Sequence, residues 1–388
     1  MAGATSQQYT AQDNANARKA ILAQAIDRWQ SVYTYTGTPV VGNTFQIPLQ
    51  NVGLNKRLLV KFSAVVTGAI GKTYNLGPLG LAAFFSNVTF TDLANYQRIN
   101  TPGWHLHLVN SAKSRFCYGA SINKTATDNP FGYGSNWTNI QTAAAQMTDA
   151  TPQTVYGFLE IPISYSDFDL RGAVFANVLN ATFNLQLTIN PNLFVASTAD
   201  GTFAMYQSTD ASLPTLGQVT ITVYQNYLDQ LPQTSNGQYV LPLGDLGVAY
   251  LWNWTQQGPL AQNQDNPFFY ANFRNFMSTL MIYDNNKTLT SNGTDINYFS
   301  IRTANLTNIL QVDPTVPTLW NRLRGKQDAP TGVYYWDHRK RPIATQQYGN
   351  QAMVTNPTSA NSNSFMYFGY EMLGNIAQVL NAGSQPGT

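Results

Sequence analysis

The stretch "FNLQLTI", residues 183–189, decides the fold. Phe183, Leu185, Leu187 and Ile189 fall on one side of an extended chain and Asn184, Gln186 and Thr188 on the other. That period of two is the mark of a half-buried strand in an antiparallel sandwich. The same texture extends outward in both directions. Runs rich in Val, Ile, Thr, Phe and Tyr occur at "RLLVKFSAVVTG" (57–68), "FLEIPISY" (158–165) and "QVTITVYQNYL" (218–228), then at "STLMIYD" (278–284), "INYFSIRT" (296–303), "GVYYWDH" (332–338) and "FMYFGYEML" (365–373). Gly, Pro and Asn punctuate them, so the chain reads as all-β from Gly37 onward.

Three echoes suggest that one unit occurs twice. "IPLQNVG" at 47–53 resembles "LPLGDLG" at 241–247, "FSNVTFTD" ending at Asp92 resembles "FMSTLMIYD" ending at Asp284, and Gly103 opens "GWHLHLVNSAK" as Gly293 opens "GTDINYFSIRTAN". The offsets are 194, 192 and 190 residues. A period of that length is too long for a solenoid or a propeller blade, so the repeating object is a domain. The chain's 388 residues suffice for two domains with ordinary cores.

The spacing predicts two eight-stranded jelly rolls in tandem, near 37–231 and 239–380. Residues 232–238, with Pro232 and the Asn236–Gly237 turn, read as the linker, and 381–388 as a tail. Residues 1–36 form a helical arm: Ile21, Leu22, Ala25, Ile26 and Trp29 recur at helical spacing behind a Thr10–Asp13 capping pattern, with Arg18, Lys19 and Arg28 among the polar positions. Such a short basic amphipathic helix packs on its own domain or lies against a membrane. Spans 119–152 and 250–272 read as long loops rich in Asn, Thr, Gly and Gln.

Composition restricts the function. Charged residues make up 10% of the chain against roughly 25% in an average soluble domain. Glutamate occurs only at Glu160 and Glu371. Neutral amides and hydroxyls must therefore cover the surface, as in a protein that hides much of itself in an assembly. The net charge of +2 gives no global attraction to nucleic acid. Cys117 stands alone, which leaves neither an internal disulfide nor a cysteine-based zinc site. With neither a signal peptide pattern nor a long apolar run, the expectation is a product made in a cytoplasm.

No nucleophile elbow, phosphate loop or metalloprotease helix is present, so no catalytic residue and no cofactor are expected. His105 and His107 would share one face of a strand and could offer two imidazoles to a metal, but no third ligand stands near. Asp167 and Asp169 resemble a carboxylate pair and read better as turn residues beside Gly172. Trp252, Trp254, Trp336 and the many tyrosines allow a carbohydrate-binding β-sandwich as the alternative. The basic cluster Arg322, Arg324, Lys326, Arg339, Lys340 and Arg341, beside Tyr334, Tyr335 and Trp336, allows phosphate binding and base stacking, and favours contacts between subunits.

Five stretches carry a closer resemblance: "PGWHLHLVNSAK" (102–113), "YSDFDLRGAVFANV" (165–178), "TVYQNYLDQLP" (222–232), "GTDINYFSIRTAN" (293–305) and "GVYYWDHRKRPIATQQYGN" (332–350). Together the chain resembles the major capsid proteins of tectiviruses, tailless icosahedral phages with an internal membrane. The resemblance implies a double jelly roll and a homotrimer whose six sandwiches form a pseudo-hexagonal capsomer. It implies contacts with neighbouring capsomers and with vertex and minor capsid proteins in the virion, and no specific nucleic acid. It also places the N-terminal helix, with Arg18, Lys19 and Arg28, on the membrane side. "IPLQNVG" and "LPLGDLG" would then be the entry strands of the two sandwiches.

Overall fold

A computed structural model describes residues 11–113, 146–148, 150–167, 169–178, 183–269, 275–285, 289, 296–302, 308–323, 332–338, 352–357 and 364–375. Helix α1 spans Ala11–Gln24. The first half then supplies β1 (Ile26–Gly37), β2 (Thr44–Pro48), β3 (Leu54–Thr67), β4 (Thr73–Leu76), β5 (Phe85–Thr91) and β6 (Gln97–Thr101), followed by α2 (Gly103–Lys113). It continues with β7 (Gln146–Thr148), β8 (Gln153–Pro162), β9 (Val174–Phe175), β10 (Asn184–Ile189), β11 (Phe194–Val195), β12 (Tyr206–Ser208) and β13 (Thr215–Asp229). The second half opens with the short α3 (Leu243–Leu246) and runs through β14 (Val248–Gln257), β15 (Asn266–Phe269), β16 (Asn275–Asn285), β17 (Ile296–Arg302) and β18 (Asn308–Val312). Helix α4 (Thr315–Leu323), β19 (Val333–Asp337), β20 (Ala352–Pro357) and β21 (Ser364–Asn375) complete it.

The alternating stretch forms β10, with Leu185, Leu187 and Ile189 buried and Asn184, Gln186 and Thr188 half-buried. It pairs antiparallel with β2 on one side and β5 on the other, which stacks Leu187 beside Phe45 and Val88. Every inward side chain is thus aliphatic or aromatic, and the burial of each stabilises the sandwich by roughly 1.5–3 kcal/mol.

The pairing order is the same in both halves. In the first, one sheet runs β1-β13-β3-β8, with β9 pairing β3 at one end, and the other contains β2-β10-β5-β6. In the second, the orders are β14-β21-β16-β19 and β15-β20-β17-β18. Counting the eight principal strands of each half along the chain, both read first-eighth-third-sixth and second-seventh-fourth-fifth. This is a double jelly roll. β4, β7, β11 and β12 form a small additional sheet in the first half.

The echoes do not mark equivalent residues. "IPLQNVG" covers the end of β2 and the loop after it, the second strand of its sandwich, whereas "LPLGDLG" contains α3 and precedes β14, the first strand of the other. "GWHLHLVNSAK" is helical, while Ile296–Arg302 is a strand and Gly293 lies outside the described residues. Equivalent strands start 222 residues apart at β1 and β14 but 149 apart at β13 and β21. The loops of the second half are shorter, so the separation shrinks along the chain.

Two further expectations change. The arm's helix stops at Gln24, and Ile26–Gly37 is a strand paired with β13 over nearly its whole length, so Ile26, Arg28 and Trp29 are not helical. Val32, Tyr33, Thr34, Tyr35 and Thr36 suit a pleated surface better than a helix, and the ladder with β13 satisfies their backbone groups. The span 250–272 is no long loop, because it contains most of β14 and all of β15.

Candidate functional site

The two sandwiches are joined by a strand pair. β6 runs parallel to β14, with Trp252 opposite Ile99 and Asn253 opposite Asn100, so one eight-stranded sheet crosses both halves. Pro102 follows β6, and α2 begins at the next residue. The helix closes over β14: the Trp104 ring stands edge-on 6.2 Å from that of Trp254, and His105 lies 5.2 Å from Trp252. His105 Nδ1 shares a 2.7 Å hydrogen bond with Thr101 Oγ1. Gly369 on β21 makes this approach possible, because a Cβ there would lie 2.6 Å from both His105 Nε2 and the Trp254 ring.

At the far end of α2, Lys113 Nζ donates to the Tyr250 hydroxyl at 2.6 Å and to the Glu371 carboxylate, and it lies 4.6 Å from the centre of the Trp252 ring. Tyr250 also donates to Glu371. The Glu371 carboxylate is fully buried, and the Lys113 side chain is 17% exposed. A carboxylate survives such burial only when paired and hydrogen-bonded. Sequence reasoning missed this cluster. The signal was available: one of only two glutamates stands inside the apolar run "FMYFGYEML". The other, Glu160, accepts a 2.8 Å hydrogen bond from Arg57.

His105 and His107 lie on α2, where residues two apart project about 200° from each other, so a shared strand face for a metal does not exist. Burial pushes their imidazoles down to about 3 and about 4, with Lys113 adding to the effect at His105. His338, after β19, is lowered to about 4 by burial and bonds Thr279 Oγ1 at 3.1 Å. All three are neutral core residues near neutral pH. Asp169 accepts the Arg171 backbone N–H at 3.1 Å and also its guanidinium, which is turn chemistry, while Asp167 pairs with Arg57.

Two of the arm's basic residues, Arg18 and Arg28, are paired locally. Arg18 holds the buried Asp245 of α3 with two hydrogen bonds, one of them 2.6 Å, and its pKa is raised by that bond. Asn14 Oδ1 accepts the Gly244 N–H at 3.0 Å, so α1 is pinned to "LPLGDLG". Arg28, in β1, pairs with Asp229 at 2.7 Å. Lys19 is exposed. A cleft of about 470 Å³ between α1, β1 and β3 is lined by Ile21, Leu22, Trp29, Lys56 and Asp167 among others, and Lys56 is bonded to Asp27 at 3.1 Å.

In the second half, Arg322 belongs to α4, whereas Arg324, Lys326, Arg339, Lys340 and Arg341 lie outside the described residues. Most of 119–152, with Cys117 before it, does so as well. Trp252, Tyr334, Tyr335 and Trp336 are buried. They are core residues rather than a platform for sugars or bases.

Two family models match the chain: the P3 major capsid protein N-terminal model over residues 5–231 and the P3 major capsid protein C-terminal model over 248–386. The chain belongs to the P3 major capsid protein family. It is 37% identical over 375 residues to the major capsid protein P3 of Enterobacteria phage PRD1, covering 96% of this chain and 93% of that one. The tectivirus resemblance carried by the five motifs therefore holds along both halves. The P3 family consists of structural capsid proteins, not enzymes, and the virion is where such a protein resides. Among solved structures, the STIV MCP matches with a TM-score of 0.64 at 9% identity, over 91% of this chain and 99% of that one. The PBCV-1 virus capsid matches with 0.55 at 12% identity, over 90% and 94%. These two likenesses show the fold alone.

Proposed function

We propose that three copies of this P3-family chain form a capsomer with six similar sides, which tiles an icosahedral shell around an internal lipid membrane. The observation that carries the reading is the identical strand order of the two sandwiches. One chain presents two copies of one shape side by side, so three chains present six, and a flat hexagonal lattice needs six. The sparse charge supports it, since obligate interfaces deplete Lys, Glu and Asp. The arm faces the membrane with the exposed Lys19, while Arg18 pins α1 to α3 through Asp245. Neighbouring capsomers and the vertex and minor capsid proteins are the remaining partners. Synthesis takes place in the host cytoplasm.

Light scattering on the purified native protein tests this. The expected mass is three times 42.8 kDa, stable to dilution and moderate salt, with roughly 2,000 Å² or more buried per subunit pair. A 42.8 kDa monomer at micromolar concentration would contradict the trimer.

A further inference from the structure

The apolar contacts of the seam leave the register of β14 along β6 weakly specified. Among the described residues the parallel ladder has two pairs, Trp252 with Ile99 and Asn253 with Asn100. Toward the first sandwich β14 turns Tyr250, Trp252 and Trp254, and its other face carries Ala249 and Leu251. A slip of two residues therefore sets one aromatic ring where another stood and keeps the aromatic stripe on the same face. Hydrophobic pattern alone does not forbid it, because the side-chain period of a strand is two.

What a slip changes is the placing of charge. β14 and β21 are joined by ten pairs and move together. Glu371 is the one charged residue in the two strands. A two-residue slip carries it about 7 Å along the strand. That takes it away from Lys113 Nζ, which in the observed register donates both to Glu371 and, at 2.6 Å, to the Tyr250 hydroxyl. Both groups would stay inside the seam, where the Glu371 carboxylate is fully buried and the Lys113 side chain is 17% exposed. Parting a buried ion pair costs far more than the pair gains over well-packed apolar residues of the same volume. Such a pair contributes choice between arrangements more than it contributes stability. Gly369 acts in the same sense at the other end of α2. A slip of two would bring Tyr367 or Glu371 against His105, where even a Cβ lies 2.6 Å from Nε2.

We infer that Lys113, Tyr250 and Glu371 form a register pin that fixes where the second sandwich sits on the first. The three residues come from α2, β14 and β21, one from each element that has to be aligned. The pin explains why a chain with two glutamates keeps one of them fully buried in an apolar strand.

Disulfide mapping on the full-length protein, with Cys117→Ser to remove the native thiol, tests it. Asn100→Cys is combined in turn with Asn253→Cys, its partner in the ladder, and with Thr255→Cys or Leu251→Cys, its partners after a slip of two in either direction. Strand spacing puts the first pair of Cα atoms roughly 4.8 Å apart and the other two pairs roughly 8 Å apart, so in the observed register only the first closes a disulfide. Under mild oxidation the otherwise unchanged protein should form the 100–253 link alone. With Lys113→Met and Glu371→Leu added, the 100–255 and 100–251 links together should rise at least about tenfold, the ratio that ~1.4 kcal/mol of lost preference gives. Slipped links that stay at the level of the unchanged protein would overturn the inference. So would links that rise only after His105→Ala is added, since the Gly369 notch would then set the register by itself. Should the double variant not fold, Glu371→Gln, which keeps the size of the side chain and removes its charge, takes its place with the same outcomes.

Discussion

α2 and α4 begin in the same way after the same strand of their sandwiches, yet the chain treats them oppositely. α2 is buried between the two sandwiches, on β5 and β8 of the first and against Trp252 and Trp254 of the second: Trp104, Leu106, Leu108 and Val109 are in the core, two histidines are held neutral, and Lys113 reaches across to Glu371. α4 packs one side on β19, where Asn321 Nδ2 donates to the backbone carbonyl of Tyr335 at 3.1 Å, and turns Leu319 and Leu323 outward. One fold position, used twice, is buried once inside the chain and once leaves its leucines exposed. The core follows the same division, since its largest cluster contains Tyr250, Trp252, Leu280 and Leu373 of the second half together with the first sandwich.

The largest expected effect comes from acid. The unfolded chain binds protons at its histidines near pH 6.5, whereas burial lowers His105 to about 3 and His107 and His338 to about 4. Their contribution to stability is therefore complete above about pH 6.5 and is lost as pH falls toward about 4. At pH 5 each neutral histidine gives up about 2 kcal/mol by linkage. The melting temperature should fall steeply between pH 6.5 and 5, and His105→Gln or His107→Gln should flatten that fall; an unchanged slope in both would break the contrast between a buried α2 and an open α4.

Next comes Lys113→Met, which leaves the Glu371 carboxylate buried without its cation and should cost about 3–5 kcal/mol in denaturant titration. Lys113→Met combined with Glu371→Leu should recover most of that loss. Arg18→Ala should cost less, about 1–3 kcal/mol, because Asp245 loses its partner. Hydrogen exchange should locate that change in α1 and α3 and leave β10 unchanged. The last pair sets the two helices against each other. Leu106→Ala in α2 should cost roughly 2–5 kcal/mol, whereas Leu323→Ala in α4, the smallest effect of all, should stay within about 0.5 kcal/mol for the isolated chain. Equal losses at both would mean that α4 is already covered within its own chain.

Much of the fold was legible in the sequence because β-sandwich strands carry their own period. "FNLQLTI" and the seven other apolar runs all fall on strands, half of the sixteen principal ones, and the double jelly roll was read from the division into two all-β halves and from the family resemblance. The equivalences between halves were not legible, since loops of unequal length shift them: "IPLQNVG" and "LPLGDLG" look alike and do different work. The arm was read as one helix because Ile26 and Trp29 continue a helical spacing from Ile21, while the competing ladder partner, Thr215–Asp229, lies far away in the chain. For the same reason "GWHLHL" looked like a strand, its alternation being produced by a helix buried on several sides. The seam cluster needed the fold itself, since Lys113 and Glu371 are 258 residues apart.

Electron-microscopic class averages of the purified native protein, viewed down its symmetry axis, bear on the equivalence of the two sandwiches without intermediaries. Six lobes of similar size at near-60° steps are expected. Three lobes, or six of plainly unequal size and spacing, would mean that the shared strand order does not translate into shared sides, and the capsomer reading would fail.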